Sequence, residues 1–393
     1  VNLFWISFID CAKSGASTTG NIGKFMAHPL SGANLGTLLT VSGRSGLPSK
    51  PPAGALIALS ALFRWPFSLG EKLVLEQSLP PLEDMPAPVF ILGHWRSGTT
   101  HLYNIMCQSG AWGYAPPVAT GLPWDMFGLG KALRPLLERA LPERRYIDNI
   151  PVHPDSPQED EIAIANMSDV SFYHGVYFPR AFAENVRRGL FFEGCSPAEI
   201  RGWRRQFAYF LRKLYLYGGA KPLLIKNPVY TGRMAMLHEM FPDAKFVHIH
   251  RNPYDVFVSM RNFYEKLLGQ FALQGWEHVD IDETILEVYD RLMRAYETDA
   301  QKIPPGRLVE LAYDDLDAHP LEAVERVYSA LELAGFSAAR GAFARYLESV
   351  QNFEKNRFPY ADEAAAKVEA RLAHFIEKWG YARPAPQGEG KKE

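Results

Sequence analysis

Residues Gly93 to Thr100 read Gly-His-Trp-Arg-Ser-Gly-Thr-Thr, two glycines bracketing a short loop and followed by two hydroxyl side chains. Such a loop lets backbone N–H groups converge on one point, where a phosphate can sit. In a nucleoside triphosphatase the residue after the second glycine is a lysine that reaches the outer phosphates, and the next Ser/Thr hydroxyl holds magnesium. Here Thr99 stands in the lysine position and the nearby cation is Arg96, ahead of the second glycine. The pattern predicts a ligand with one phosphate at this loop, met by a cation from its other side, with no obligatory metal. Without a ligand the same residues make a plain strand-to-helix turn. A second cluster runs Arg251-Asn252-Pro253-Tyr254-Asp255-Val256-Phe257-Val258-Ser259. Pro253 suits a first helical residue, so Arg251 is expected at a strand's carboxyl end and Ser259 one to two turns into the next helix, both able to face one ligand.

The elements that must position these residues are legible around them. Pro88 to Leu92 and Lys245 to His250 are apolar, strand-like runs, and Leu102, Ile105 and Met106 have helical spacing. Leu223 to Lys226 and Arg307 to Leu311 supply further strands, with helices over Gly232 to Phe241 and Leu321 to Ala334. Strands alternating with helices predict an α/β domain: a parallel sheet with helices on both faces that binds ligands at the strands' carboxyl ends.

The Arg-Ser-Gly-Thr-Thr loop together with the later Arg-Asn-Pro-x-Asp-x-x-x-Ser resembles the sulfotransferases that use 3′-phosphoadenosine 5′-phosphosulfate (PAPS). The resemblance covers Pro86 to about Tyr313. It implies a P-loop-like α/β fold, with Arg96, Ser97, Gly98, Thr99 and Thr100 on the 5′-phosphosulfate and Arg251 and Ser259 on the 3′-phosphate. It also implies an enzyme of EC 2.8.2 type that releases adenosine 3′,5′-bisphosphate and needs no metal. The acceptor would offer a hydroxyl or amine on a small molecule, lipid or glycan. Two positions depart from the family pattern. Arg96 replaces a frequent Lys; it can stabilise a leaving phosphate but is a poor proton donor. His101 stands where an aromatic is usual, which leaves the adenine-stacking residue unassigned. The domain organisation expected is a mostly helical extension over 1–85 packing on the core, a catalytic domain over 86–385 and a disordered tail over 386–393.

Sulfuryl transfer rests on positioning and charge stabilisation, and the acceptor must lose a proton to a general base. Pro154-Asp155-Ser156-Pro157-Gln158-Glu159-Asp160-Glu161 is the densest acidic cluster of the catalytic region. Ser156 and Glu159 also form a capping-box pattern, which explains them without chemistry. A similar Pro-x-Glu-Asp-Glu segment occurs in related bacterial sulfotransferases, so Glu159 and Glu161 are candidate bases. His153 is the rival, with His94 and His101 beside the loop; one of His248 and His250 is expected in the core. Lys226, at a strand's carboxyl end, is a candidate catalytic cation, and Lys355-Asn356-Arg357 reads as a charged turn.

The chain has 393 residues, 47% of them hydrophobic, and a formal charge of −2, a balance that excludes the basic excess of a nucleic-acid binder. Cys11, Cys107 and Cys195 match no metal spacing and suit a reduced, cytoplasmic setting. Ala53 to Phe63 is apolar before Arg64-Trp65-Pro66 interrupts it, and is expected to be a buried helix more than an interfacial one; no stretch reaches the ~18 apolar residues of a membrane span. Peripheral membrane contact through the N-terminal apolar segments and a homodimer stay open as partners. The competing functions are a nucleotide kinase or nucleoside triphosphatase, opposed by the missing loop lysine, and a non-catalytic nucleotide-binding protein.

Overall fold

The run ahead of the glycine loop forms β1, Val89–Gly93, with all five residues buried. It pairs in parallel with β3, Lys245–His250, which pairs in parallel with β4, Leu308–Ala312; Phe90 faces Phe246 and Phe246 faces Leu308. With β2, Leu224–Lys226, the order across the sheet is β2-β1-β3-β4. Strands buried on both faces read as continuous apolar runs, which is why β1 was legible without any alternation. This computed structural model describes residues 28–135, 154–351 and 361–384.

Contacts divide the chain into two units, and the division falls within β2. One unit takes Ala87–Ala111, Lys226–Lys266 and Asp280–Glu393, and so holds β1, β3 and β4. Helices follow its strands: Thr99–Cys107 after β1, Pro253–Phe271 after β3 and Tyr313–Ala318 after β4. After β2, the helix expected from Gly232 is Met234–Met240, preceded by a 3-10 turn over Pro228–Arg233. Asn227 imposes that turn, since its side chain accepts from the Val229 N–H at 3.0 Å. The expected helix over Leu321 to Ala334 is Pro320–Ala330.

The other unit takes Val1–Pro86, Trp112–Ile225 and Leu267–Val279. The first part of the chain thus shares a unit with the middle of it. Gln274 ties the segments by donating to the carbonyls of Ser45, Gly46 and Leu47 at 3.0, 3.2 and 3.1 Å. Its apolar centre includes Trp203, Phe207, Phe210 and Leu214, all fully buried along one face of the helix Pro197–Tyr217.

The helix Pro51–Glu76 runs for 26 residues with Pro66 inside it, and its burial corrects an expectation. The helix continues past the point where Arg64-Trp65-Pro66 ends the apolar run. The N–H that proline lacks would have gone to the Leu62 carbonyl, and Leu62 lies on an exposed face, 52% accessible, so the freed carbonyl is not stranded in a core. The apolar segment is not buried as a whole: Ala53, Ile57 and Ala61 face inward, but Leu59, Leu62, Phe63, Trp65, Phe67, Leu69, Leu73 and Val74 point outward, while Arg64 and Glu71 are buried. Arg64 donates to both oxygens of Asp125 at 3.2 and 3.0 Å and to the Ala33 carbonyl at 2.8 Å. Glu71 accepts the N–H groups of Phe127 and Gly128 at 2.9 and 2.7 Å and lies 2.8 Å from Lys213 Nζ. Unbroken at Pro66, this rod contains an 18-residue window of mean hydropathy 1.3, so one helix among the described residues does have the length and composition to cross a membrane.

The sequence Ser-Pro-x-Glu occurs twice, and the two copies behave differently. At Ser196-Pro197-Ala198-Glu199 it forms a reciprocal capping box, with the Ser196 N–H donating to Glu199 Oε2 at 2.8 Å and the Glu199 N–H to Ser196 Oγ at 3.3 Å. At Ser156 to Glu159 no helix starts; the Gln158 N–H donates to the Ala115 carbonyl at 2.9 Å, and the helix opens only at Glu161. A tertiary hydrogen bond therefore overrides the expected cap. Ser196→Ala should lower stability by about 1 kcal/mol. A denaturant melt checks this, and an unchanged midpoint would contradict it.

Candidate active site

The loop Gly93 to Thr100 is shaped by contacts within its own unit. Gly93 has φ +139°, and a Cβ there would lie 2.3 Å from the Ile249 carbonyl oxygen on the neighbouring strand. Its N–H donates to Thr231 Oγ1 at 2.8 Å, and its carbonyl accepts the Thr231 hydroxyl at 3.1 Å. Ser97 is buried and its hydroxyl donates to the His94 carbonyl at 2.6 Å, so it closes the turn. At Gly98, φ +93°, a Cβ would come within 2.3 Å of the Tyr313 ring. Thr99 opens the helix Thr99–Cys107, and the N–H groups of Gly98, Thr99 and Thr100 have no acceptor among the described residues. Three backbone donors at the positive end of a helix are thus left for an anion.

Three cations surround the turn at two places. Lys226, the last residue of β2 and buried, donates to Thr100 Oγ1 at 3.1 Å, beside the helix N-terminus. On the other side, Arg96 Nε donates to Ser259 Oγ at 2.8 Å, and Arg251 Nη1 donates to the Arg96 carbonyl at 3.1 Å. Arg96 has φ +68°, a left-handed conformation uncommon for a side-chain-bearing residue, and the bond from Arg251 holds its carbonyl in that turn. The Arg251 guanidinium lies 4.4 Å from the centre of the Tyr313 ring, and its Nε is buried without a partner. A buried donor without a partner is costly until a ligand takes it. The residues present therefore fit a ligand with two separate anionic groups.

The structure brings Arg96, Ser97, Gly98, Thr99, Thr100, Lys226, Arg251 and Ser259 together, with Ser259 the seventh residue of the helix Pro253–Phe271. It aims Arg96 at Ser259, whereas the motif alone grouped Arg96 with the loop. Glu159 and Glu161 belong to the other unit. Glu161 is buried, and its Oε1 accepts the Ser171 hydroxyl at 2.6 Å and the Phe172 N–H at 3.0 Å, which fixes the start of the helix Tyr173–Tyr177. Glu159 is half-buried. His153 and Lys355-Asn356-Arg357 lie outside the described residues.

His94 is buried, donates from Nδ1 to the Trp95 carbonyl at 2.9 Å, and burial pushes its imidazole down to about 4, so it is neutral in the folded chain. His101 lies half-buried on the helix Thr99–Cys107. His248 is the core histidine, stacked 3.6 Å from Tyr296 with Nδ1 on Glu310 at 3.1 Å. His250 pairs with the Tyr381 hydroxyl at 2.8 Å and stacks 4.5 Å from Trp379. Thr231 and Tyr313 were missed: each acts on the loop from far along the chain, and a Thr or Tyr in a helix or turn carries no local signal of that contact. No group of three or more His, Cys, Asp or Glu among the described residues is placed to hold a metal ion.

A family model described as Sulfotransferase family matches residues 88–337. The omega-hydroxy-beta-dihydromenaquinone-9 sulfotransferase Stf3 of Mycobacterium bovis is 28% identical over 323 residues, 81% of this chain and 81% of its own. Among solved structures, sulfotransferase STF1 from Mycobacterium tuberculosis superposes with a TM-score of 0.61 at 18% identity, covering 86% of this chain and 91% of that one. Sulfotransferase STF9 from Mycobacterium avium gives 0.61 at 16% identity, covering 88% and 96%.

Gly98 offers a direct test of the turn's packing. Gly98 and Gly110 both have positive φ, but a Cβ at Gly110 meets nothing within 4 Å. Both Ala variants bear the conformational penalty, so the extra loss in Gly98→Ala reports the clash with Tyr313. Thermal melts should show Gly98→Ala destabilised beyond Gly110→Ala by at least about 1 kcal/mol, and Tyr313→Ala in the same chain should return part of the difference. No difference between the two glycines would contradict the packing described.

Proposed function

The chain belongs to the sulfotransferase family, and from that premise we propose that it transfers the sulfuryl group of PAPS to a hydroxyl on a lipid acceptor. The observation that carries the donor is the pair of separated anion sites: the open N–H groups with Lys226, and Arg251 with its unpartnered Nε beside Ser259 and Arg96. Glycan and other small hydroxyl or amine acceptors fit the same chemistry. The lipid is favoured because the relative sharing 28% of residues is named for an omega-hydroxylated dihydromenaquinone.

When bound, PAPS supplies an activated sulfuryl group on a phosphate leaving group. Arg251 and Ser259 hold the 3′-phosphate, and the Arg96 side chain, already hydrogen-bonded to Ser259, adds a second guanidinium there. The N–H groups of Gly98, Thr99 and Thr100 hold the 5′-phosphate. Lys226, in place beside Thr100, opposes the charge that grows on that phosphate as the bond to sulfur breaks. A carboxylate from the Glu159 to Glu161 segment takes the acceptor's proton. Glu159 and Glu161 are the candidates; Glu161 Oε1 accepts two hydrogen bonds that hold the next helix, which ties it to structure. His153 is the alternative base.

Arg251→Ala, Ser259→Ala and Arg96→Ala should each weaken adenosine 3′,5′-bisphosphate binding by roughly ten- to a hundredfold, the loss of one hydrogen bond to a charged group at ~1.5 to 3 kcal/mol. Lys226→Ala should instead lower kcat with a smaller change in affinity. Titration calorimetry and initial rates separate these outcomes. Unchanged affinity in all three of the first set sinks the 3′-phosphate assignment, and activity lost to EDTA and restored by magnesium sinks the metal-free transfer.

Glu159→Gln should fold, bind the bisphosphate and lose ~10² to 10⁴ in rate. Glu161→Gln should show its effect mainly in the melting temperature. If Glu159→Gln keeps full activity while His153→Ala is folded and inactive, the histidine is the base.

A further inference from the structure

We infer that the outward face of the helix Pro51–Glu76 docks on a lipid bilayer, with the helix lying in the interface and not crossing it. The helix is amphipathic in the opposite sense to a surface helix in water. Its inward stripe, Ile57, Ala61, Arg64, Glu71 and Leu75, carries the buried charges. Its outward residues from Ala55 to Gly70 include no charged side chain, over about 22 Å of helix. Phe63, Trp65 and Phe67 are 67%, 57% and 46% exposed, on the order of 300 Å² of aromatic surface, and Leu59, Leu62, Leu69, Leu73 and Val74 extend it. That exceeds the scattered apolar exposure of a monomer's surface and marks a contact site.

Several observations select a bilayer as the occupant. Exposed Lys72 stands beside the C-terminal part of the apolar face, a cation that suits lipid phosphates. Trp65 sits within the face as aromatic anchors do at a membrane–water boundary. A groove of about 570 Å³ opens beside Phe67 and Val74, closed on its other side by Phe127 and Leu129, with room for part of an acyl or isoprenoid chain. Crossing is excluded by the inward stripe: it would strip Arg64 from Asp125 and Glu71 from Lys213 and place both charges in hydrocarbon. None of this depends on which acceptor the enzyme uses.

The test is co-sedimentation of the full chain with vesicles of phosphatidylcholine, alone or mixed with phosphatidylglycerol. The parent should partition onto both and more strongly onto the anionic mixture. The double variant Phe63→Glu with Trp65→Glu should lose at least tenfold in partition while keeping its circular dichroism and its affinity for adenosine 3′,5′-bisphosphate, and Lys72→Gln should weaken binding to the anionic mixture. Because charges on this face can lower solubility, a second reading uses conservative changes: brominated lipid should quench the parent's fluorescence more than that of Trp65→Phe. A parent that stays in the supernatant with both vesicles and shows no Trp65-dependent quenching overturns the inference. So does a parent dimer that the double variant converts to monomer without any vesicle binding, which would make a second copy the occupant.

Discussion

The turn between β1 and its helix can exist only because backbone is allowed to approach backbone and ring at two glycines. Gly93 lies against the Ile249 carbonyl and Gly98 against the Tyr313 ring, each leaving no room for a Cβ. Thr231 then occupies both the donor and the acceptor of Gly93, so the first residue of the loop cannot drift along the strand. With its ends fixed, the chain between them is forced through the left-handed conformation of Arg96, whose carbonyl finds a donor in Arg251. The same guanidinium that braces the turn has one nitrogen, Nε, buried without a partner. Shape of the loop and charge of the site are in this way one arrangement.

The other unit depends on charge placed where apolar residues usually sit. Arg64 with Asp125, and Glu71 with Lys213 and two backbone N–H groups, fasten one long helix by its polar stripe. Removing one partner from such a pair costs about 3 to 5 kcal/mol, because it strands the other charge, whereas an exposed pair is worth little. The burial of Arg64 and Glu71 explains how so apolar a helix is held with its hydrocarbon facing out.

What the sequence disclosed was local. β1, β3 and the helix after the loop follow from runs and spacings of a few residues, and the spacing Pro253 to Ser259 placed the hydroxyl correctly in its helix. The identical Ser-Pro-x-Glu strings show the limit: one is a cap and the other is not, and the difference is a hydrogen bond from Gln158 to Ala115 that no window around Ser156 contains. The apolar run over Ala53 to Phe63 showed a helix but not which of its faces is covered, for a related reason: burial is set by contacts such as Arg64 with Asp125, far along the chain. The partnership of Arg96 with Ser259 and the seat that Tyr313 makes for Gly98 are likewise long-range facts. The fold class was readable because alternation of elements survives such errors of a few residues at each boundary.

Parallel pairing of β1 with β3 and β3 with β4 has a consequence for how the molecule is made. A ribosome releases Gly93 to Thr100 well before it releases Ile249, Arg251 or Tyr313, and at 5 to 20 residues per second the interval is roughly ten to forty seconds. Through that time the nascent loop has neither its neighbouring strand nor the ring that seats its second glycine. Because the closing contacts are so distant in sequence, their loop-closure entropy falls late in assembly. An emerging chain therefore cannot close this loop until its final third has been translated.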